Sequence, residues 1–460
     1  MLLPAAAPAP ANAAEPNTPL AGAADAVFAA SSDSWSAFDD VLEFRLDNGL
    51  TLLILPRRDL PIVSLQVWYR AGSRNEPPGA SGIAHFLEHM YSMGTAKLAP
   101  REVDVLVRSV GGQKNASTST DYTRYYEDIP SSALADFLAV EADRMRGCTF
   151  PEDKVLSERD TVAEERRMRS EDDQGGAAYE ALSQLVYGNH AYGHPTVGWM
   201  EDIADYNRGE LLDFYNAFYR PDNAALVIAG DADPDKIVPE IERLFGHIAG
   251  EIDAAGFIPE VFATEQTSER RRTIFHPSPR PLLYIGWPTV AFGESDAYAL
   301  DLLGEVLAGG RSSRLYKRLV RGEELATSVS AGHGDRKYGG LFTVRVSFND
   351  PEKLEAVEAA VYAEIAALAK NGAGGDELSR AKKRMMAGEV YAAQGNNGLA
   401  QQLGWAWAAG DWRWVIEYPK RMERVTSKEI KSAAAKYLSE KTRNVVVVLP
   451  AKPDAGGDTG

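Results

Sequence analysis

The chain is 460 residues long, which at ordinary domain sizes corresponds to about three domains or two large ones and excludes a single small module. Hydrophobic residues make up 45% and charged residues 25%, proportions typical of folded globular domains that argue against extended disorder and against a collagen-like or coiled-coil rod. The net charge of -17, from 49 Lys and Arg against 66 Asp and Glu, repels phosphate backbones, so nucleic acid is not expected as a partner.

The single cysteine, Cys148, cannot form an intrachain disulfide or a multi-thiolate metal site, so any bound metal must be held by histidine and carboxylate side chains. No run of about 18 or more apolar residues follows the start of the chain, so no membrane-spanning helix is predicted. The Ala/Pro-rich opening contains an Ala-x-Ala site at Ala11-Asn12-Ala13. Two interpretations stay open for this opening: the tail of a secretory signal, which predicts a periplasmic or secreted protein, or a disordered leader.

Strand and helix patterns alternate through the first half of the chain. A hairpin is predicted where Asp47-Asn48-Gly49 separates two apolar runs, because Asn and Gly accept the positive φ of such turns. A second hairpin, rich in Thr and Tyr, is predicted to turn near Thr120-Asp121. Further strands are predicted over residues 62–72 and 224–230. The predicted helices cover residues 82–93, 100–110, 133–146, 152–171, 177–186, a stretch that ends at Tyr219, and 233–248.

The same order of elements recurs in the second half. The predicted elements there are strands over residues 271–278 and 281–290, helices over 297–307 and 313–319, a Gly-turned hairpin over 327–348, and helices over 351–370 and 376–393. Both halves close with a helix that ends in Tyr, a turn, and an apolar strand, residues 224–230 in the first half and 445–450 in the second. An internal duplication of about 200 residues explains this recurrence.

We therefore expect an α+β fold of two homologous halves, each an antiparallel-rich sheet covered by helices. The predicted divisions are a leader over 1–35, a first repeat over 36–248, a linker over 249–269, a second repeat over 270–451 and a flexible tail over 452–460. The tryptophan cluster near the end of the second repeat is interpreted as core packing, in preference to a chamber wall or a subunit interface.

A possible metal site begins with His85, Glu88 and His89, which share one face of the predicted helix over 82–93 because they stand at i, i+3 and i+4. Two imidazoles one turn apart can share a metal, and a carboxylate beside them can take a proton from water at that metal. This H-x-x-E-H spacing is that of the inverted zincins. The alternative is a half-exposed helix that happens to hold two histidines and a glutamate.

A third ligand can come from the charged helix predicted over 152–171. Glu158 and Glu165 are seven residues apart and differ by only about 20° around a helix, whereas Glu164 is turned by about 100° from its neighbour Glu165. Glu158 and Glu165 can therefore serve one site. The alternative is a solvated face of Glu and Arg side chains that form i,i+4 pairs.

With these residues the chain resembles the pitrilysin, insulinase and mitochondrial processing peptidase family of zinc endopeptidases. The resemblance extends from about Glu43 to Pro450 and is carried by SGIAHFLEHMYSMGT, GGQKNASTSTDYTRYYEDIP, ERDTVAEERR and GGRSSRLYKRL. It implies one zinc ion per chain, with His85, His89 and Glu165 as ligands. It also implies that Glu88 is the general base and that Glu158 is an accessory carboxylate near the site.

The resemblance also implies a peptide substrate that is held as an extended strand. Asn115-Ala116 resembles the family segment that lies beside the catalytic helix and helps to hold the substrate. An added strand suits that role, because main-chain hydrogen bonds at a sheet edge bind peptides with little regard to sequence. The alternative for Asn115 is a turn or strand-end residue that makes a local backbone bond.

One part of the family pattern is missing. The family has an Arg and a Tyr seven residues apart that assist from the far side of the cavity, and in this chain Val320 and Thr327 occupy those positions. Arg321 is one position away and is the available substitute. Long family members close like a clamshell around the peptide with four repeats, so this chain resembles half a clamshell. We therefore expect a homologous two-repeat subunit as partner, with a heterodimer favoured over a homodimer.

Three functions remain open at this point. The first is a zinc endopeptidase subunit that acts on unfolded peptides. The second is a non-catalytic structural or chaperone-like subunit on the same scaffold, for which the missing Arg/Tyr pair is the best support. The third is a zinc-binding regulator without hydrolysis. The complete set of His85, Glu88, His89 and Glu165 favours the peptidase.

Overall fold

The computed structural model describes residues 37–250 and 266–451. The predicted leader over 1–35, the predicted tail over 452–460 and residues 251–265 of the predicted linker lie outside the described residues. None of the helices in the described part of the chain combines the length and the apolar character that a membrane crossing requires.

Two sheets form the centre of the fold. The strands are β1 (Leu42–Arg45), β2 (Thr51–Pro56), β3 (Ile62–Tyr69), β4 (Gln113–Thr118), β5 (Thr123–Pro130), β6 (Ala224–Gly230), β7 (Arg270–His276), β8 (Leu282–Pro288), β9 (Ser328–Gly334), β10 (Leu341–Ser347) and β11 (Asn444–Pro450). The first sheet has the order β1-β2-β6-β3-β5-β4 and the second the order β7-β11-β8-β10-β9. Both predicted hairpins of the first half are present, as β1-β2 and β4-β5.

Without β1, the two sheets have the same strand order and the same directions. In each, the first strand pairs in parallel with the last strand of its half, β2 with β6 and β7 with β11, and the other neighbours are antiparallel. The prediction of two homologous halves, each an antiparallel-rich sheet covered by helices, is thereby confirmed.

Fourteen α-helices lie within the described residues. They are α1 (Ile83–Met90), α2 (Glu102–Ser109), α3 (Leu134–Gly147), α4 (Glu152–Arg166), α5 (Gln174–Tyr187), α6 (Met200–Asp205), α7 (Arg208–Phe218), α8 (Pro234–Phe245), α9 (Ser295–Ala308), α10 (Leu354–Asn371), α11 (Gly375–Ala392), α12 (Asn396–Ala409), α13 (Trp414–Arg424) and α14 (Ser427–Tyr437). Helices α1 and α9 occupy corresponding places in the two halves. Helix α1 follows β3 and contacts the edge strand β4, and helix α9 follows β8 and contacts the edge strand β9.

Two predicted helices differ from the structure. The helix predicted over 152–171 ends as an α-helix at Arg166 and continues as one π-turn over Arg167–Glu171, because Asp173 caps the start of α5 and the chain must change direction there. The helix predicted over 313–319 is largely replaced by a π-helical segment over Tyr316–Gly322, whose following residue, Glu323, donates its N–H to the Arg318 carbonyl five residues back.

Each half supplies a helix that covers the sheet of the other half. The strands β2 and β6 are buried on both faces, so the first sheet needs a cover on each side. Helix α12 of the second half packs on β3 and β6, and α5 of the first half packs on β7, β8 and β11. The approach of α12 is close: a Cβ atom at Gly404 would lie 2.1 Å from the Trp68 ring. The two halves are therefore interleaved.

The tryptophan cluster is divided between core and cavity. Trp407 and Trp412 are buried against the first sheet, in agreement with the prediction of core packing. Trp405 and Trp414 are only partly buried and line a cavity of the second half. Trp405 also packs against the core cluster beside the first sheet, so the prediction of core packing holds for it in part, whereas Trp414 is not part of that cluster and the prediction was wrong for it.

A buried ion pair supports the end of α1. The Arg144 guanidinium contacts the carboxylates of Glu141 and Glu127, and all three residues are at most 2% exposed. The same guanidinium lies 4.1 Å from the ring centroid of Tyr91, the residue that follows α1. Burial and the nearby charge of Glu141 raise the pKa of Glu127 well above its usual range, and the Arg144 guanidinium opposes that rise.

Replacing Arg144 by methionine should therefore destabilise the protein. Arg144→Met leaves Glu127 and Glu141 buried without their cation, and we expect the free energy of unfolding in urea to fall by about 3–5 kcal/mol. The matched control is Arg243→Met, which removes the exposed ion pair with Glu240 and should have little effect. Equal unfolding midpoints for the two variants would contradict this account of the core.

Candidate active site

The start of α1 is held by a buried carboxylate. Glu76 accepts the N–H of Gly82 at 2.7 Å and the N–H of Ala84 at 3.0 Å, two of the donors that a helix leaves free at its N-terminus. Gly82 has φ 88°, and a Cβ atom there would lie 2.3 Å from the Val197 carbonyl oxygen. The first turn of α1 is thus fixed against residues from outside the helix, which sets where its side chains point.

The face of α1 that carries His85 and His89 is turned toward α4. Glu165 Oε2 lies 3.6 Å from His85 Nε2 and 3.3 Å from His89 Nε2, and the candidate ligand atoms all lie within 4.8 Å of one another. Ligand atoms at about 2.0–2.2 Å from a tetrahedral zinc lie about 3.3–3.6 Å apart. Two imidazoles and one carboxylate at these separations fit a zinc ion with one position left for water or substrate.

The charges of this cluster are strongly coupled. Burial and the nearby charge of His89 together lower the pKa of His85 to about 4. Burial also opposes protonation of His89, but hydrogen bonds to Glu158 and Glu165 outweigh it and raise the pKa to about 9. The bond to His89 holds the pKa of Glu165 at about 2, with help from His85 and Arg169. Two anions thus face two imidazoles, an arrangement that attracts a cation.

Glu158 lies behind His89. Its Oε1 is 2.9 Å from His89 Nδ1, and its second oxygen is 3.8 Å from the Arg101 guanidinium. A hydrogen bond at Nδ1 fixes the ring orientation and leaves Nε2 facing Glu165, as carboxylates commonly do for metal-binding histidines. The structure therefore places Glu158 where it orients His89, and it reaches that place from the same helix face as Glu165.

Glu88 is held from the neighbouring strand. The Thr118 hydroxyl, at the end of β4, donates to Glu88 Oε2 at 2.5 Å. Burial raises the pKa of the Glu88 carboxyl, and the bond from Thr118 offsets part of that rise. The carboxylate is thereby kept beside the two histidines of its own helix.

Asn115 and Ala116 lie in β4, the edge strand of the first sheet, which pairs with β5 on one side only. Asn115 is exposed, and its side-chain oxygen accepts the N–H of Ala116 at 2.9 Å. Asn115 therefore does make a local backbone bond, and it does so in the middle of an open sheet edge. An extended peptide has access to that edge beside α1.

The cleft at this site is built by the first half alone. It has a volume of about 770 Å³, and its described lining residues all lie between 85 and 169. Val320 packs against the second core, while Arg321 and Thr327 are exposed and do not line the cleft. Arg321 is therefore not placed as a substitute for the missing Arg within this chain.

The sequence reasoning missed two side chains that hold the site. Thr118 holds Glu88, and it could have been considered because it lies on the same strand as Asn115. Arg169 forms an ion pair with Glu165, and the i,i+4 spacing of the two residues was a usable signal.

Comparison with known proteins gives a consistent result. A family model described as "Insulinase (Peptidase family M16)" matches residues 54–198, and one described as "Peptidase M16 inactive domain" matches residues 205–385. The protein "Uncharacterized zinc protease YmxG" of Bacillus subtilis is 29% identical over 364 residues, which cover 79% of this chain and 87% of that protein. "Zinc protease PqqE" of Helicobacter pylori is 28% identical, covering 88% of this chain and 92% of that protein. A solved structure of a protease from Helicobacter pylori has a TM-score of 0.85 at 27% identity and covers 89% of this chain and 99% of that chain.

The placement of Glu158 predicts an effect on metal affinity. Glu158→Gln keeps the size of the side chain but removes the charge that orients His89, so zinc affinity should fall by about 10- to 100-fold in a competition titration with a chelator. Glu164→Gln changes an exposed carboxylate on the same helix and serves as the control. If both variants bind zinc like the unmodified chain, Glu158 has no part in holding the site.

Proposed function

Because this chain belongs to the insulinase family of peptidases, M16, we propose that it is a zinc-dependent endopeptidase that hydrolyses unfolded peptides. The observation that carries the proposal is the convergence of His85, His89 and Glu165 beside a carboxylate, Glu88, on the same helix. A purely structural subunit has no need of all four groups together.

His85, His89 and Glu165 would hold one zinc ion per chain. Zinc bound there supplies a Lewis acid that polarises the scissile carbonyl and makes water a stronger nucleophile near neutral pH. Glu158 acts through His89, since it bonds the ring nitrogen that faces away from Glu165. It is therefore a positioning residue.

Glu88 serves as the general base and then as the general acid. It accepts a proton from the attacking water and delivers it to the leaving amine, so the same carboxylate is used twice. Thr118 restrains Glu88 through the bond to Oε2, which limits the side-chain entropy that must be lost when the substrate is bound.

The substrate is proposed to bind as an additional strand along β4. Main-chain bonds to an open edge require an extended peptide and tolerate many side chains, which suits unfolded substrates. On binding, the peptide would replace the local bond between Asn115 and the Ala116 N–H with one of its own. Asn115 and Ala116 are thus assigned to substrate binding.

A second chain is proposed to complete the site. The cleft is lined by residues 85–169, so its far wall must come from elsewhere. A homologous two-repeat subunit that carries the Arg/Tyr pair fits this need, and a heterodimer is favoured over a homodimer because an identical copy would present Val320 and Thr327. The Ala-x-Ala site near the N-terminus supports a periplasmic or secreted location.

The specific observation that favours a different function is the same missing pair. Val320 and Thr327 in place of Arg and Tyr suit a non-catalytic structural or chaperone-like subunit, which would bind peptide without hydrolysing it. The two functions differ in whether Glu88 is needed.

The first test is the loss of Glu88. Glu88→Gln should retain the zinc held by His85, His89 and Glu165 but lower kcat/KM for an unstructured fluorogenic peptide by about 10²- to 10⁴-fold, since the proton acceptor is gone. Glu152→Gln, an exposed change at the start of α4, is the control. Turnover that is unchanged in Glu88→Gln would rule out Glu88 as the general base.

The second test concerns the partner. The zinc-loaded chain should hydrolyse the peptide only when mixed with a homologous two-repeat subunit that carries the Arg/Tyr pair. Arg321→Ala should leave the activity of the mixture unchanged, because Arg321 does not line the cleft. Equal activity of the chain alone would refute the split site, and no activity in either state with zinc bound would favour the non-catalytic function.

A further inference from the structure

A second group of metal-ligand side chains lies in the other half of the chain. Asp301 is on α9, His333 is on β9, and Asp335 follows β9, and one ligand atom from each lies within 4.8 Å of the others. The His333 side chain is 0% exposed, and those of Asp301 and Asp335 are 10% and 14% exposed. A wholly buried imidazole between two carboxylates distinguishes this group from a surface cluster of acidic residues.

The hydrogen bonds of the group do not satisfy it. His333 Nε2 is 3.0 Å from the Thr289 hydroxyl, and Nδ1 faces Asp301 Oδ1 at 3.1 Å and Asp335 Oδ1 at 3.4 Å. The single proton that Nδ1 can carry is donated in a hydrogen bond to only one of these two carboxylates. Asp335 Oδ1 is buried and has no hydrogen-bond partner among the described residues. The cluster therefore has room for one more positive group.

The cavity beside the cluster adds negative charge. The cluster opens on a cavity of about 350 Å³ that is also lined by Glu389, and no Lys or Arg is among the described residues of its lining. His333 is the basic side chain that contacts both Asp301 and Asp335, and one imidazolium cannot balance two buried carboxylates, so a bound cation would compensate the remaining charge. Asp301 is in addition oriented by the Tyr418 hydroxyl, which donates to its second oxygen at 2.7 Å.

We propose that Asp301, His333 and Asp335 form a second metal site, which binds a divalent first-row transition-metal cation such as Zn²⁺ or Mn²⁺. One imidazole nitrogen and two carboxylate oxygens suit these ions better than Ca²⁺ or Mg²⁺, which prefer oxygen ligands alone. Thr289 and Tyr418 take the outer positions that commonly orient metal-binding His and Asp side chains. The ion joins α9 to the β9–β10 hairpin, and the remaining coordination positions face the cavity.

This site does not depend on the proposed peptidase activity, and it can be measured separately. The full chain is stripped of metal, incubated with Zn²⁺ or Mn²⁺, desalted, and the metal per chain is counted by mass spectrometry. We expect two ions per unmodified chain and one ion per chain of the double variant His85→Ala/His89→Ala. Adding Asp335→Asn to that double variant should remove the remaining ion. The affinity should fall by more than about 100-fold, which exceeds the effect of changing a residue that only orients a metal ligand.

His247→Gln, made in the same double variant, is the matched control, since it changes an exposed histidine. Added metal should also raise the thermal unfolding midpoint of the double variant and of the His247 control. It should not raise the midpoint of the variant that also carries Asp335→Asn. Asp335→Asn keeps the side-chain shape, and His333→Gln provides a second variant for the same count. The proposal is overturned if the double variant binds no ion, or if Asp335→Asn and His333→Gln both retain it.

Discussion

The central constraint on this fold is that the central strands of its sheets, such as β6 and β11, are buried on both faces, so that neither half covers its sheet with its own helices alone. Helix α12 covers the outer face of the first sheet, and α5 covers that of the second. Because α5 follows α4 after one π-turn, the helix that carries Glu165 is tied directly to the packing of the other half. The Arg166–Glu180 ion pair strengthens this connection. The position of the third candidate ligand is therefore a consequence of how the two halves cover each other.

The repeated order of strands could be predicted from the sequence because strand patterns and turn residues are local. The same holds for the placement of His85, Glu88 and His89 on one face, since i, i+3 and i+4 spacing needs only helix geometry. The choice of Glu165 over Glu164 came from family resemblance supported by a rotation of about 100° per residue. The exchange of α5 and α12 between the halves could not be predicted, because it depends on which faces of two distant sheets remain uncovered.

Contacts between residues far apart in sequence were also beyond prediction. Thr118 reaches Glu88 across 30 residues, and Asp301 reaches His333 across 32. His333 is buried and hydrogen-bonded, and its carboxylate neighbours come from another element and from the segment that follows β9. Only the His-x-Asp spacing of His333 and Asp335 was available in the sequence, and a two-residue spacing alone does not indicate a site.

Duplication explains why both clusters lie where they do. In the first half, Glu88 joins α1 to the edge strand β4 through Thr118, and in the second half Asp301 joins α9 to the edge strand β9 through His333. In each half, polar side chains lie together where the helix, α1 or α9, meets the edge strand. Elsewhere these helices face the apolar side of the sheet. In the first half this junction opens on a cleft whose described lining residues all come from the first half itself. In the second half, α13 and the tryptophans of α12 and α13 cover the corresponding junction. The open junction therefore leaves space for the peptide and the second chain proposed above, while the cavity of about 350 Å³ at the other junction suits the proposed metal ion.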